Sequence, residues 1–282
     1  MKKICFIILH YNYFKGTCEC LDSILSMDNQ ELIEIVVIDN ASQDDSYIKL
    51  KEKYHDKNIN FLHNEKNLGF SEANNIAYEF ARDNFDLKYV IFTNNDICFI
   101  QKDFIERIES AHKKSSFSVL GPDIYNPNIK QHQSPLSFSL TRKKTEVLKT
   151  IILNKIALLF YPIYYRMFIW NKEQKQTIVE KEKIKYYENV LPSGACLIFD
   201  NEFLKQKKIP FWPKTFFYYE EYILALWCIK NGKKIVFDPN LKVLHYHGMA
   251  TNTLGDKKRS MKFQITNIIN SAKVYFKVLK KM

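Results

Sequence analysis

The sequence predicts an α/β protein, a mostly parallel sheet flanked by helices, with a basic helical insertion and a C-terminal amphipathic helix. Three observations carry this. Short apolar, β-branched runs recur through the first hundred residues, as buried parallel strands require. Stretches with apolar residues at helical spacing lie between them. Each run stops on polar side chains, at the edge where open α/β sheets collect ligands.

Ile4 to Leu9 is the first strand, ending at His10-Tyr11-Asn12. Thr17 to Met27 repeats helically through Cys20, Leu21, Ile24 and Leu25. Glu34 to Ile38 forms the second strand and closes on Asp39-Asn40-Ala41-Ser42, after which Asp44 or Asp45 can cap a helix to about Tyr54. Ile59 to Leu62 is the third strand, and Ser71 opens a helix through Ala73, Ile76, Ala77 and Phe80. Tyr89 to Thr93 is the fourth strand. It breaks off at Asn94-Asn95-Asp96, where a carboxylate beside two amides can hold a hard divalent cation. An Asx-rich turn is the plainer reading of the same triplet. Strands alternating with helices imply right-handed crossovers and a ligand site at the strand ends.

Composition narrows the class. With 282 residues and 46% hydrophobic content, one large α/β domain can bury a sizeable core. The N-terminal apolar run is too short for a signal peptide, and no apolar run is long enough to span a membrane. Six scattered cysteines without paired CxxC spacing fit a reduced, cytoplasmic protein. The net charge of +11 is uneven: residues 1–140 carry 15 basic and 20 acidic side chains, 141–188 carry 11 and 5, and 255–282 carry 8 and 1. Such segments suit nucleic acid or an anionic membrane.

Several blocks together carry a family resemblance. Ile35-Val-Val-Ile-Asp39-Asn-Ala-Ser42, Asn64-Glu-Lys-Asn67-Leu-Gly69-Phe70 with Asn74-Asn75, and Asn94-Asn95-Asp96 resemble the nucleotide-sugar half of the inverting family 2 glycosyltransferases, whose fold is GT-A. Pro192-Ser-Gly194-Ala195, Phe216-Phe-Tyr-Tyr-Glu220-Glu221 and His245-Tyr-His247-Gly248 resemble the acceptor half. The order matches over most of residues 1–250, and rhamnosyltransferase-type enzymes of bacterial surface polysaccharides are the most similar subgroup. The resemblance implies a nucleotide-sugar half over 1–140 and an acceptor-binding and catalytic half over 189–254, while charge sets apart a basic helical insertion over 141–188 and a basic helix over 255–282.

It also implies roles. Asp39 reads the base or ribose, Tyr11 is a candidate to stack on the base, and Asn67 and Gly69 form the nucleotide-side loop, where glycine permits close backbone approach. Asn94-Asn95-Asp96 stands where the family has Asp-x-Asp, leaving Asp96 as the charged ligand for Mn2+ or Mg2+. His245, which follows a strand expected over Leu241 to Leu244, is a second ligand, with His247 competing for that place. Gly194, inside a strand-like run from Val190 to Phe199, marks close approach by the sugar. Glu220 and Glu221 open a helix to about Asn231, with Gly232 as its C′ residue. The family pattern Glu-Asp-x-Asp reads Glu220-Glu221-Tyr222-Ile223 here, which places Glu221 at the catalytic base and loses the last aspartate.

Two apolar stripes remain. One runs through Leu148, Ile151, Ile152, Ile156, Leu159, Phe160 and Ile163 into Tyr161, Tyr164, Tyr165, Phe168 and Trp170, with Lys149, Lys155 and Arg166 among them. The other runs through Met261, Ile265, Ile268, Ile269, Ala272, Phe276 and Leu279 beside lysines. Basic amphipathic helices with aromatic rims suit a membrane interface; packing on the catalytic domain or in a homo-oligomer is the alternative. The expected protein is thus an inverting, metal-dependent transferase, peripheral on the inner face of the cell membrane. It would take a UDP- or dTDP-linked sugar to a saccharide acceptor that is lipid-linked. A sugar-phosphate nucleotidyltransferase would need a glycine-rich basic loop after the first strand, which His10-Tyr11-Asn12 does not provide. A nucleic-acid module would interleave aromatics and cations on one platform, and here the platform elements are acidic.

Overall fold

A computed structural model of the chain describes residues 1–174, 184–246 and 257–281, and for residues 168–174 the backbone alone. The four expected strands are present as β1 (Lys3–His10), β2 (Ile33–Asp39), β3 (Ile59–His63) and β4 (Leu87–Asn94). They pair in parallel in the order β3-β2-β1-β4. Alternation along β1 explains its unbroken apolar run. Ile4, Phe6 and Ile8 enter one core with α1 (Phe14–Leu25), α2 (Ser46–Lys53) and α4 (Phe104–Ser115), while Cys5 and Ile7 face the opposite core with α3 (Gly69–Asn84).

The rest of the sheet was harder to read from sequence. Beyond β4 the order continues through β9 (Cys196–Asp200), β6 (Val119–Asn126) and β10 (Ile235–His245) to β5 (Ile97–Phe99). β9 is antiparallel to both neighbours, β4 and β6, and β5 is antiparallel to β10. β9 and β10, from the second half of the chain, therefore complete the sheet begun by β1 to β6. Gly121 and Pro122 lie inside β6 and interrupt the pattern that marks a strand. Two-residue strands β7 (Gln131–His132) and β8 (Tyr187–Glu188) pair with β6 and β10.

Several element boundaries differ from expectation, α3 among them, which starts at Gly69 and not at Ser71. α1 begins before Thr17, whose N–H donates to the Tyr13 carbonyl at 3.1 Å; Gly16, a poor helix former, masked this turn. The run from Val190 to Phe199 is not one strand. Leu191 makes an isolated bridge to Ser137, Pro192 to Gly194 turn away, and β9 starts at Cys196. The strand expected over Leu241 to Leu244 is the second half of β10, which shifts register between Asp238 and Lys242.

The two amphipathic segments fold as α5 (Lys144–Leu159) with α6 (Tyr161–Gln174), and as α9 (Lys257–Lys280). Together with α8 (Glu220–Lys230) they enclose a third core of Val147, Ile151, Tyr161, Tyr219, Ile223, Leu226, Ile265, Ile269, Ala272 and Tyr275. The stripe of α9 is thus covered by protein, with Met261, Ile268, Phe276 and Leu279 packed around it. Phe168 and Trp170 keep their side chains outside the described set, and His247 and Gly248 lie outside the described residues. Gly232 follows α8 at φ +61°, a left-handed position that suits glycine.

Candidate active site

The carboxyl ends of β1, β2 and β4, the turn at 193–195, the start of α8 and the end of β10 surround a cavity of about 1190 Å³. Its wall carries Tyr11, Asn67, Asn94, Asn95, Asp96, Gly194, Glu220, Glu221 and His245. Asp39 and Gly69 stand behind this wall.

Local hydrogen bonding explains the division. Asp39 ends β2 fully buried, and its carboxylate accepts from the Ser42 N–H at 3.2 Å, the Ser42 hydroxyl and His63 Nδ1 at 2.8 Å. The Asp39 carboxylate thus holds the 39–42 turn beside the expected nucleotide side of the cavity. The next residue, Asn40, does line the cavity. Its amide donates to Asn67 Oδ1 at 3.0 Å and to the Gly69 carbonyl at 3.2 Å, while its oxygen accepts from the Leu68 N–H at 2.9 Å. Asn40 therefore builds the 64–69 loop that presents Asn67. Gly69, at φ +75°, lies against the aromatic segment: a Cβ there would come 2.5 Å from the Phe216 carbonyl, which accepts from the Phe70 N–H at 2.7 Å.

Asp96 meets His245 across the strand ends, Oδ1 to Nε2 at 3.1 Å. His245 Nδ1 donates to Gln133 Oε1 at 2.6 Å, which turns Nε2 toward Asp96. With the Nδ1 proton committed to Gln133, the Nε2 lone pair and the Asp96 carboxylate lie together on the cavity wall, a pair of donors of the kind that ligates a cation. Asn95 is tied back into the fold, its amide donating to Thr17 Oγ1 at 2.9 Å next to His10. Burial pulls His10 down to about 4, against the attraction of Asp39 and Asp44, so His10 is a neutral structural residue. Among the described residues no three His, Cys, Asp or Glu side chains converge as a metal cage. Asp96 and His245 nonetheless suit Mn2+ or Mg2+ with the remaining positions filled by ligand oxygens and water.

The acidic pair is placed by an unusual backbone. Tyr218 and Tyr219, consecutive non-glycine residues at φ +72° and +70°, swing the chain into α8. Such strain persists only where the surroundings enforce it. Arg142 donates to the Tyr219 hydroxyl at 2.7 Å and to Thr150 Oγ1 at 3.1 Å, the Tyr219 and Tyr275 rings pack at 5.4 Å, and Ser271 donates to the Phe217 carbonyl at 2.7 Å. The insertion and the C-terminal helix thus clamp the turn that aims the carboxylates.

Those carboxylates differ. Glu220 is buried, and its Oε1 has no hydrogen-bond partner. Burial, then repulsion from Glu221, pushes its pKa well above the usual carboxylate range and so favours its neutral form. Glu221 is half-buried on the cavity wall, and burial raises its pKa too. Its Oε1 accepts from the Gly194 N–H at 3.0 Å. The close approach expected at Gly194 is therefore made by Glu221: any Cβ there would overlap Oε1. The neighbouring Ala195 carbonyl accepts from the Asn94 N–H at 2.9 Å, so one turn ties the Asp96 side of the cavity to Glu221.

Several wall residues gave no signal in the sequence. Gln133, Arg142, Thr150 and Asn154 belong to no motif, and Phe263 comes from α9, where it packs 6.0 Å from Phe216. His132 also lines the cavity, its Nδ1 2.7 Å from the buried Asp123.

Comparison with known proteins agrees with this architecture. Residues 5–187 match the model of the family described as Glycosyl transferase family 2. A low-salt glycan biosynthesis hexosyltransferase, Agl10 of Haloferax volcanii, is 27% identical over 103 residues, which is 36% of this chain and 32% of that protein. The chain thus matches only about a third of that relative's length. Among solved structures, S. aureus TarS 1-349 aligns with TM-score 0.56 and 17% identity over 95% of this chain and 70% of its own. The mannosyltransferase PcManGT from Pyrobaculum calidifontis, in complex with GDP-Man and Mn2+, aligns with TM-score 0.56 and 12% identity over 97% and 73%. At these identities the structures establish the fold, a GT-A-type α/β sheet.

Proposed function

Since the chain belongs to glycosyl transferase family 2, we propose that its cavity transfers a sugar, with inversion, from a UDP- or dTDP-linked donor to a saccharide acceptor. The observation that carries this is one turn, 194–195, joining a desolvated carboxylate to the Asp96–His245 pair on a single cavity wall. The Asn40–Asn67 loop and Tyr11 would receive the nucleotide, and Phe216, Phe217 and Tyr218 would offer stacking surface to the acceptor sugar.

In the step itself the acceptor hydroxyl oxygen bonds to the anomeric carbon as the bond from that carbon to the diphosphate oxygen breaks. The hydroxyl proton passes to Glu221, and the nucleoside diphosphate leaves with the electron pair. The Gly194 N–H orients Glu221, and burial of Glu220 disfavours a second negative charge beside it. Asp96 and His245 would hold Mn2+ or Mg2+, which when bound offsets the charge of the leaving diphosphate. The structural neighbour PcManGT carries Mn2+ with GDP-Man, and a TarS structure is in complex with UDP-GlcNAc, which supports both donor class and metal. A lipid-linked acceptor at the inner face of the membrane is the setting we propose, in surface-polysaccharide synthesis.

A thermal-shift panel of nucleoside diphosphates with manganese tests donor binding. At a hundredfold excess over Kd a bound nucleotide adds about 2.7 kcal/mol of stability. Uridine or thymidine diphosphate is expected to raise Tm; a panel in which no nucleotide does so contradicts the reading.

A further inference from the structure

We propose that the outer face of the α5–α6 elbow seats this protein on an anionic lipid bilayer. The sequence alone favoured both basic segments for such a role, and the structure separates them. The apolar stripe of α9 is spent on the third core. α5 is apolar on both sides. Val147, Ile151 and Ala157 are buried, and Thr150 and Asn154 line the cavity. On the opposite side Ile152, Ile156, Leu159, Phe160, Ile163 and Met167 are exposed, Leu159 by 75% and Ile163 by 62%. Large apolar side chains exposed together along one side of a helix mark an interaction site.

Charge decides what covers it. Between residues 143 and 167 five side chains are basic and one, Glu146, is acidic. Lys149, Lys155 and Arg166 form no ion pair among the described residues. A two-fold pairing of copies would set this patch against itself and bring like charges together. An anionic bilayer satisfies both features, taking the apolar side chains at its boundary and the cations at its headgroups.

The geometry fits a helix lying on the membrane. No single described helix is long and apolar enough to cross a bilayer. α5 has 16 residues, about 24 Å of helix, short of the roughly 30 Å hydrocarbon core, and the chain bends by 102° between α5 and α6. The opposite face of α5 forms cavity wall, so the bilayer would lie about 10 Å, one helix diameter, from the cavity. Resting on the sugar-transfer reading, this is where an acceptor anchored in lipid presents its sugar.

Co-sedimentation of the full chain with vesicles tests the surface. The expected result is binding to vesicles of equal parts phosphatidylglycerol and phosphatidylcholine at low salt, and weak binding to phosphatidylcholine alone. Replacing Lys149, Lys155 and Arg166 together by Gln should weaken binding about a hundredfold, roughly fivefold per cation. Ile152→Glu with Ile156→Glu should abolish it. Both variants should keep the nucleotide-induced rise in Tm, which reads the donor site independently. Failure of the intact chain to bind anionic vesicles overturns the proposal. So does unchanged binding by the Glu variant, or a dimer of the intact chain that the same substitutions make monomeric.

Discussion

Glu221→Gln is expected to lower turnover by about 10²–10⁴-fold, the range general-base catalysis contributes, while donor affinity stays nearly unchanged. The amide keeps the shape of the side chain and an oxygen for the Gly194 N–H, so the loss isolates proton acceptance. Burial raises the pKa of Glu221, and a base works only when ionised. In the wild type kcat/KM should therefore rise with pH through a raised carboxylate range and then level off. Residual activity of the Gln variant should lack that rise. Glu220→Gln should leave the chemical step far closer to wild type, because burial already favours the neutral form of Glu220, whose Oε1 has no hydrogen-bond partner. Equal losses in the two variants would contradict the division of roles. Steady-state kinetics across pH, with donor titration by thermal shift, provide the measurements.

Asp96→Asn is the second large effect. It leaves His245 without its carboxylate partner and removes the charged metal ligand from the Asn94-Asn95-Asp96 turn. Metal assistance to a leaving diphosphate is worth several kcal/mol, so turnover should fall about 10³-fold or more. EDTA should do the same to the wild type, and added Mn2+ should restore it. The variant should also lose the manganese dependence of its nucleotide-induced Tm shift while its own Tm changes little. Full activity of the variant, or of the wild type in EDTA, would remove Asp96 and the metal from the account.

What the sequence disclosed follows from what local pattern can encode. β1, β2 and β4 were legible because each is buried on both faces and so almost wholly apolar, and β3, half-buried at the sheet edge, because Ile59, Phe61 and Leu62 still mark it. The ends of those strands pointed to Tyr11 and Asp96, and Glu220-Glu221 at a helix start were equally visible. β6 was not, since Gly121-Pro122 disguise it, and neither was the antiparallel insertion of β9, which depends on long-range pairing. Asp39 was legible only in part. Its position at the strand end was evident, but the engagement of its carboxylate by Ser42 and His63 is a matter of tertiary contacts. Arg142, Gln133 and the paired left-handed tyrosines are likewise set by segments distant in sequence. Periodicity revealed that α5 and α9 have apolar faces; only packing showed that α9 is covered and that α5 leaves one face bare.

The central claim is a single in-line displacement at the anomeric carbon with Glu221 taking the acceptor proton. The most direct test is the anomeric configuration of the transferred sugar, read by NMR from the product of a reaction run with a donor of known configuration. The account predicts that the configuration is inverted. A product that keeps the donor's configuration would contradict it, whatever the substitutions at Glu221 and Asp96 show.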